Sequence, residues 1–566
     1  MEKFLRRMKT AGANYIWIGH NNPGEVVEGK AEPGLSYAVW AAAQNKQHPQ
    51  HTLALSFIEA QHALLRAARA VGLPAVLPIG YQIHMGGDWR DLHPKEMRHD
   101  AVGQWLNIFN GGVSASFYSE NYRRDIRVYY QWIQQEFVEP YHDVIMMLNL
   151  ADEPLGGDYS APAEAEFTKR TGQTFANADA ATLGRFQDEM VVEYAAWSAE
   201  QWQTLVPGLP VTISFCGAQG RWSYRMPNVE AIFRATPPNF VPTFDAYLHD
   251  YLPYEPMTEA EVGSLILFTR TLGYYSQKYQ REFWLWSAGN SWGLANYGSS
   301  NPGGISDALA NGYLLALAAR STGGNLRGLA VWNYNIHDQG LYGGPETEYN
   351  RDEMFARVSG AFADWRRLMT APAGRVDTLL LLTHNAAHTH LGTTRNAVFD
   401  TPLSFDALIP FTRQDERAAV VGALPALENI ETILVLDPTP ETLAAEEQTA
   451  LKRFAGAGGQ LLASAEILNA LWPENAARPT NAVSLPGNPF QMEAAKWAEV
   501  FLQSTGLRVS AGAHTLLFNL MPQSVQLPPD ANWQAFNRAG LPQPNALQLA
   551  EHEFALKISG TVNGEP

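Results

Sequence analysis

The chain has 566 residues, 46% of them hydrophobic and 17% charged, and a formal net charge of −17. That length exceeds one ordinary core and predicts two or three domains, while the apolar content excludes a disordered chain. The acidic balance, with no basic stripe, excludes nucleic acid as the expected partner, because phosphate binding rests on clustered Lys and Arg.

The N-terminal "MEKFLRRMKTAGANYIW" reads as an amphipathic charged helix running into a strand. It lacks the apolar stretch and small-residue cleavage site of a signal peptide, and no apolar run reaches bilayer-spanning length. A soluble, cytoplasmic protein with no membrane partner is therefore expected. The one cysteine, Cys216, rules out an intramolecular disulfide and a multi-cysteine zinc site. To about residue 370 the chain alternates short β-rich runs with longer amphipathic segments. The predicted strands are "NYIWIG" (14–19), "AVLPIGY" (75–81), "VIMMLNL" (144–150), "VTISF" (211–215), "VPTF" (241–244), "FWLWS" (283–287) and "GLAVWN" (328–333). Near-continuous apolar strands alternating with helices imply a parallel sheet covered by helices, and over this length a (β/α)8 TIM barrel of the α/β class.

Seven strands alternate with eight helices, the first being residues 2–11, so one strand is expected upstream of residue 1. An open gap would leave two unpaired edges. The C-terminal "HEFALKIS" (552–559) is the lesser candidate to fill it.

After Trp365 the texture changes. "VDTLLLLTH" (376–384), "ETILVLD" (431–437) and "GQLLASA" (459–465) are short apolar strands, the last two separated by a helix with a glycine stop. These predict a flavodoxin-like α/β domain over 371–505, after a barrel over 1–370. A small β-rich domain over 506–566 follows.

In a parallel barrel, reactive groups stand where strands end at their C-terminal side. Those ends read "GHNNPGE", "YQIHMGGDW", "NLADEPLGG", "SFCGAQGRW", "FDAYLHDY", "WSAGNSWG" and "WNYNIHDQG", whereas the opposite loops are short turns. Tryptophans 17, 89, 222, 286, 292 and 332 cluster among these polar ends, and a flat aromatic face with a polar rim suits a sugar ring. In "LNLADEPLGG", Glu153 follows an apolar strand and precedes a proline, which predicts extended backbone at Glu153. An Asp-Glu-Pro helix start is the plain alternative. His84 and His249 could bind sugar hydroxyls or serve as structural histidines. Asn21 and Asn22 fit an Asn-Asn-Pro turn as well as a sugar contact. Gln219, Arg221 and Trp222 are candidates for a pocket wall. No cluster has metal-ligand spacing and no cofactor is expected; "HNAAHTH" (384–390) reads as a polar loop.

At these positions the chain resembles the retaining β-glycosidases of glycoside hydrolase clan A. There an acid/base glutamate stands in an Asn-Glu-Pro-like turn after barrel strand four, and a nucleophilic glutamate after strand seven. The order barrel, flavodoxin-like domain, small β domain is similar to the family-42 type β-galactosidases, whose amidotransferase-like middle domain makes trimer contacts. The resemblance implies that Glu153 is the acid/base and that Asp152 stands at the asparagine that binds the sugar 2-hydroxyl. It also implies that Tyr247 lies near the nucleophile, and that Trp286, Asn290, Trp292 and Trp332 line a carbohydrate site. A homo-oligomer, a trimer through the second domain, is the implied assembly. The nucleophile position falls on Ala288.

Three explanations stand for that alanine. Residue 288 is a glutamate in the natural protein and was replaced; or Asp338, Asp245 or Glu282 serves instead; or the chain binds carbohydrate without hydrolysing it. Retaining chemistry needs two carboxylates about 5–5.5 Å apart. A rival activity, glutamine hydrolysis by the second domain, needs a nucleophilic cysteine, and residues 371–505 contain none.

Overall fold

The computed structural model describes residues 2–18, 35–80, 83, 85–106, 114–154, 157–216, 228–246, 259–288, 304–332, 351–390, 417–473, 476–485, 507–511, 513–519, 524–529, 532–538, 540–550 and 553–558. These fall into two units, one of residues up to Cys216 with 228–244, the other from Asp245 onward.

In the first unit, β1 (Ile16–Trp17), β2 (Ala75–Pro78), β3 (Ile145–Asp152) and β4 (Val211–Phe215) pair in parallel in chain order. β5 (Thr243–Asp245) then pairs with β4 through Ser214↔Thr243 and Phe215↔Phe244. All residues of β2 and β4 are buried, as a sheet covered on both faces requires. The helices between them begin and end where local chemistry dictates. Helix α1 (Glu2–Thr10) extends Lys9, whose ammonium donates to Val71 O at 2.8 Å and Gly72 O at 3.1 Å. A cation thus meets the carbonyl end of α2 (His51–Val71), which stops at Gly72 with φ +65°. Ser119 caps α3 (Glu120–Ile133) and Asp179 caps α4 (Ala180–Leu205), each accepting from the amide three residues on. Gly80, just past β2, lies so close to β3 that a Cβ would sit 2.3 Å from Leu150 O.

In the second unit, β6 (Glu282–Ala288) and β7 (Asn325–Trp332) pair in parallel from Glu282↔Asn325 to Ala288↔Trp332. Helix α5 (Glu259–Lys278) precedes β6, and α6 (Gly304–Ser321) lies between β6 and β7 in the chain. The sheet order is β1 to β7 in sequence, the parallel α/β wall of the barrel. The seven strands match the seven read from the sequence. Among the described residues no further strand joins this sheet.

A second parallel sheet holds β8 (Thr378–Leu381), β9 (Ala418–Val421), β10 (Thr432–Val435), β11 (Gln460–Ala463) and β12 (Ala482–Ser484) in the order 12-11-10-8-9. Counted within the sheet this is 2-1-3-4-5, the flavodoxin-like order. Two of its strands, β9 and β12, carry no sequence prediction. "HNAAHTH" is a helix, α7 (His384–His390), not the polar loop expected. Thr383 starts it, its hydroxyl accepting from Ala386 N at 3.1 Å while Asp437 holds Thr383 N at 2.7 Å.

The edge strand β9 does not end in bare backbone. Val420 N donates to Thr271 Oγ1 at 3.1 Å, and Val420 O accepts from Tyr275 Oη at 3.2 Å. Both side chains come from α5, four residues apart and therefore on one face. Together they act as a surrogate strand. The double substitution Thr271→Val and Tyr275→Phe leaves two buried backbone groups unpaired, each costing about 1–3 kcal/mol. Urea unfolding should show that loss with an unchanged slope; a midpoint equal to that of the parent would refute this role for α5.

The C-terminal residues form an antiparallel sheet in the order β13 (Leu507–Ala511), β14 (His514–Asn519), β19 (Glu553–Lys557), β16 (Gln534–Phe536), β17 (Pro542–Gln543). β15 (Val525–Gln526) and β18 (Gln548–Leu549) pair beside it. The suggestion that "HEFALKIS" fills the barrel is overturned here. Its residues Glu553–Lys557 register against all of Thr515–Asn519, and Phe554 stacks on Phe536 with ring centroids 4.7 Å apart. A strand with antiparallel partners on both sides has no free edge to offer elsewhere.

Candidate active site

β3 delivers the polar end at Asp152 and Glu153. Along it, Asn149 meets Ser214 of β4 twice: Asn149 Oδ1 accepts from Ser214 N at 3.3 Å, and Asn149 Nδ2 donates to Ser214 Oγ at 3.4 Å. Beside them Thr212 Oγ1 donates to Val241 O at 2.6 Å and lies 2.8 Å from Thr243 Oγ1. Asn149, Thr212, Ser214 and Thr243 are all buried, so each needs such a partner. The register of β3 on β4 slips between Asn149 and Asp152, a bulge of the sort that re-aims the residues after it.

Asp152 pairs with Ser214, and Glu153 N still donates to Ser214 O at 2.7 Å. Beyond that bond the chain turns sharply. Glu153 has φ +40°, in the left-handed region, which corrects the extended backbone expected before a proline. The reason lies in the ladder. The amide of Glu153 remains tied to β4 while the chain must leave the sheet at Pro154, and the reversal falls on Glu153 itself. Both Asp152 and Glu153 are buried.

Four residues on, the chain is clamped again. Arg98 Nε and Nη2 donate to Gly157 O at 3.1 and 2.5 Å. Gln187 of α4 holds the backbone of Asp158 by both edges: its Oε1 accepts from Asp158 N at 2.5 Å and its Nε2 donates to Asp158 O at 2.9 Å. The Asp158 carboxylate accepts from Ser116 Oγ at 2.6 Å and Ser160 N at 2.9 Å. Arg98, Asp158 and Gln187 are fully buried. Sequence reading missed all three, since Gly157 lies 59 residues from Arg98, Gln187 lies 29 from Asp158, and Ser116 lies 42 from Asp158.

In the second unit Asp245 ends β5 and is buried, and Ala246 N donates to Trp286 O at 3.0 Å. Trp286 is buried within β6, and Ala288 ends that strand, its backbone paired with Trp332. Glu282 begins β6 and is exposed. Six residues separate it from position 288, about 20 Å along a strand, so it cannot substitute there. Asn311 of α6 was also missed; it donates to Ser287 Oγ and to Ala246 O. Of the other tryptophans, Trp89 is buried, donates to Asp125 Oδ2 at 2.9 Å and packs on His93 at 4.5 Å, a core role. Trp17 is in β1. His84, Trp222, Tyr247, His249, Asn290, Trp292, Asn21, Asn22, Gln219, Arg221 and Asp338 lie outside the described residues. Among the described residues no group of three His, Cys, Asp or Glu could hold a metal ion, and no helix is long and apolar enough to cross a membrane.

No protein-family model and no curated protein matches the chain. Solved structures do. The β-galactosidase of the Antarctic haloarchaeon Halorubrum lacusprofundi is 13% identical, with a TM-score of 0.67 over 99% of this chain and 97% of that one. The fold is the TIM barrel of these enzymes. The β-galactosidase of Bacillus circulans sp. alkalophilus, 11% identical, reaches a TM-score of 0.63 over 98% of this chain and 96% of that one. That of the psychrophilic Marinomonas ef1, 13% identical, reaches 0.61 over 98% and 97%. At such identities the likeness speaks for architecture. Chemistry has to be argued from the residues.

Proposed function

We propose that this barrel is a clan A retaining β-glycosidase scaffold that takes terminal β-linked sugars of small oligosaccharides or aryl glycosides. In this reading Glu153 is the acid/base and position 288 is the nucleophile site, occupied in this chain by alanine. The observation that carries it is Glu153: a buried carboxyl at the C-terminal end of a barrel strand, held at φ +40° between a ladder bond and a proline. Strained backbone of this kind persists where its surroundings over-determine it, and active sites are where it gathers. The β-galactosidase fold is consistent with it. Asp152 would meet the sugar 2-hydroxyl as an acceptor, which differs from an amide because a carboxylate donates nothing.

Ala288 supports a second reading, a carbohydrate-binding barrel without hydrolysis. The two part on one experiment: a panel of aryl β-glycosides offered to the chain and to its Ala288→Glu variant. We retain the division 1–370, 371–505 and 506–566, and assembly as a trimer through the second domain, as parts of the same proposal. Light scattering of the whole chain tests the assembly.

A further inference from the structure

Position 288 ends a strand whose neighbour in the chain is held from behind. Ser287 is fully buried, and its Oγ accepts from Asn311 Nδ2 at 2.9 Å. The same Nδ2 donates to Ala246 O at 3.3 Å. Ala246 in turn donates through its amide to Trp286 O at 3.0 Å. One carboxamide on α6 therefore ties the residue after β5 to the penultimate residue of β6. Asn311 is fully buried, on the helix that links β6 to β7.

The orientation of that amide is fixed by chemistry. Ala246 O is a carbonyl and can only accept, so the edge of Asn311 that faces it must be the NH2 group. Among the described residues nothing donates to the buried Asn311 Oδ1. A buried polar side chain with half of its capacity unused is a poor choice for stability alone, because the unmet acceptor costs free energy. An apolar residue of similar size would fill the space without that cost. What the amide supplies and an apolar residue cannot is a directed bond to Ser287.

Side chains alternate along a strand, so Ser287, bonded to α6, occupies the face opposite to that of Trp286. We propose that Asn311 is a positioning residue. It fixes Ser287, and through it the backbone from which residue 288 leaves the sheet, so that a group at 288 is presented at one angle. This rests on the reading of 288 as a site position but not on the hydrolytic step, and it names a role for a helix residue that touches no substrate.

The test uses the full chain with Ser287→Ala and, separately, Asn311→Asp. The first removes the acceptor with little change in volume. The second keeps the shape of the side chain and replaces the donor by an acceptor facing Ala246 O. In the Ala288→Glu background, each should lower kcat by about ten- to a hundredfold while KM stays within about twofold, since misplacement by 1 Å is enough for such a loss. In an Ala288→Cys background, alkylation of the introduced thiol by iodoacetamide reads the same geometry without any glycoside. The buried Cys216 of the parent sets the baseline. Either substitution should shift that rate by about threefold or more, read well below the melting temperature of each variant so that the protein compared is folded.

If Ala288→Glu is inert on every sugar but the thiol rate shifts, the positioning role stands and the glycosidase reading falls. If neither kcat nor the thiol rate moves, the positioning role is overturned. Should Asn311→Asp fail to fold, Ser287→Ala decides alone.

Discussion

Ala288→Glu is expected to raise hydrolysis of one aryl β-glycoside by at least about a thousandfold over the chain as it stands, equivalent to about 4 kcal/mol of barrier. The argument is stoichiometric before it is geometric. Retention requires one carboxylate to bond the anomeric carbon while a second gives its proton to the departing oxygen; water then attacks that carbon, giving its proton back to the second carboxylate and releasing the first. Glu153 supplies the second function only. A methyl group cannot attack, so the covalent intermediate has no route to form. The backbone at 288 is already fixed by its pairing with Trp332, so a glutamate placed there inherits a defined point of departure. Initial rates on galactosides, glucosides, mannosides and fucosides would also name the sugar, which depends on hydroxyl contacts. Ordinary turnover by the unaltered chain would move the nucleophile to Asp245 or Asp338. Inertness of both chains on every glycoside, with sugar binding retained, would leave the carbohydrate-binding reading in possession.

What was legible in the sequence is what depends on local pattern. The barrel strands announce themselves because both faces are covered: "VIMMLNL" has little reason to alternate when neither side meets water, and "VTISF" alternates with both faces buried, its Thr212 and Ser214 hydroxyls bonded to neighbouring strands. The two strands missed in the second sheet are the ones at its edges. β9 is only "AAVV", and in β12 Val483 and Ser484 are exposed, so apolar content fails as a signal there. The turn at Glu153 was legible as a turn but not in its conformation. The proline argues for extended backbone, and only the bond from Glu153 N to Ser214 O, 61 residues away in sequence by subtraction, shows why the chain reverses where it does. The clamp of Arg98 and Gln187 on residues 157 and 158, and that of Asn311 on Ser287, were invisible for the same reason. A buried Gln or Asn looks like any other until the carbonyl it serves is known.

In the Ala288→Glu background, Glu153→Gln is expected to cut kcat/KM by about 10²–10⁴-fold on glycosides with poor leaving groups. Glutamine keeps the size of the side chain and its place on the bulge but has no proton to give. A leaving group that departs without help, such as dinitrophenolate, should escape most of the loss in the first step, and the alkaline limb of the rate profile should disappear. A residue that merely shaped the pocket would lower all substrates alike. The backbone offers an independent reading of the same residue. A non-glycine side chain at φ +40° costs about 1–3 kcal/mol. Glu153→Gly should therefore raise the unfolding free energy by about 1 kcal/mol while abolishing hydrolysis, because glycine adopts positive φ without steric cost. Stability gained as activity is lost is what a site held under strain for its chemistry gives. Equal losses of both would mean that Glu153 is there to hold the turn.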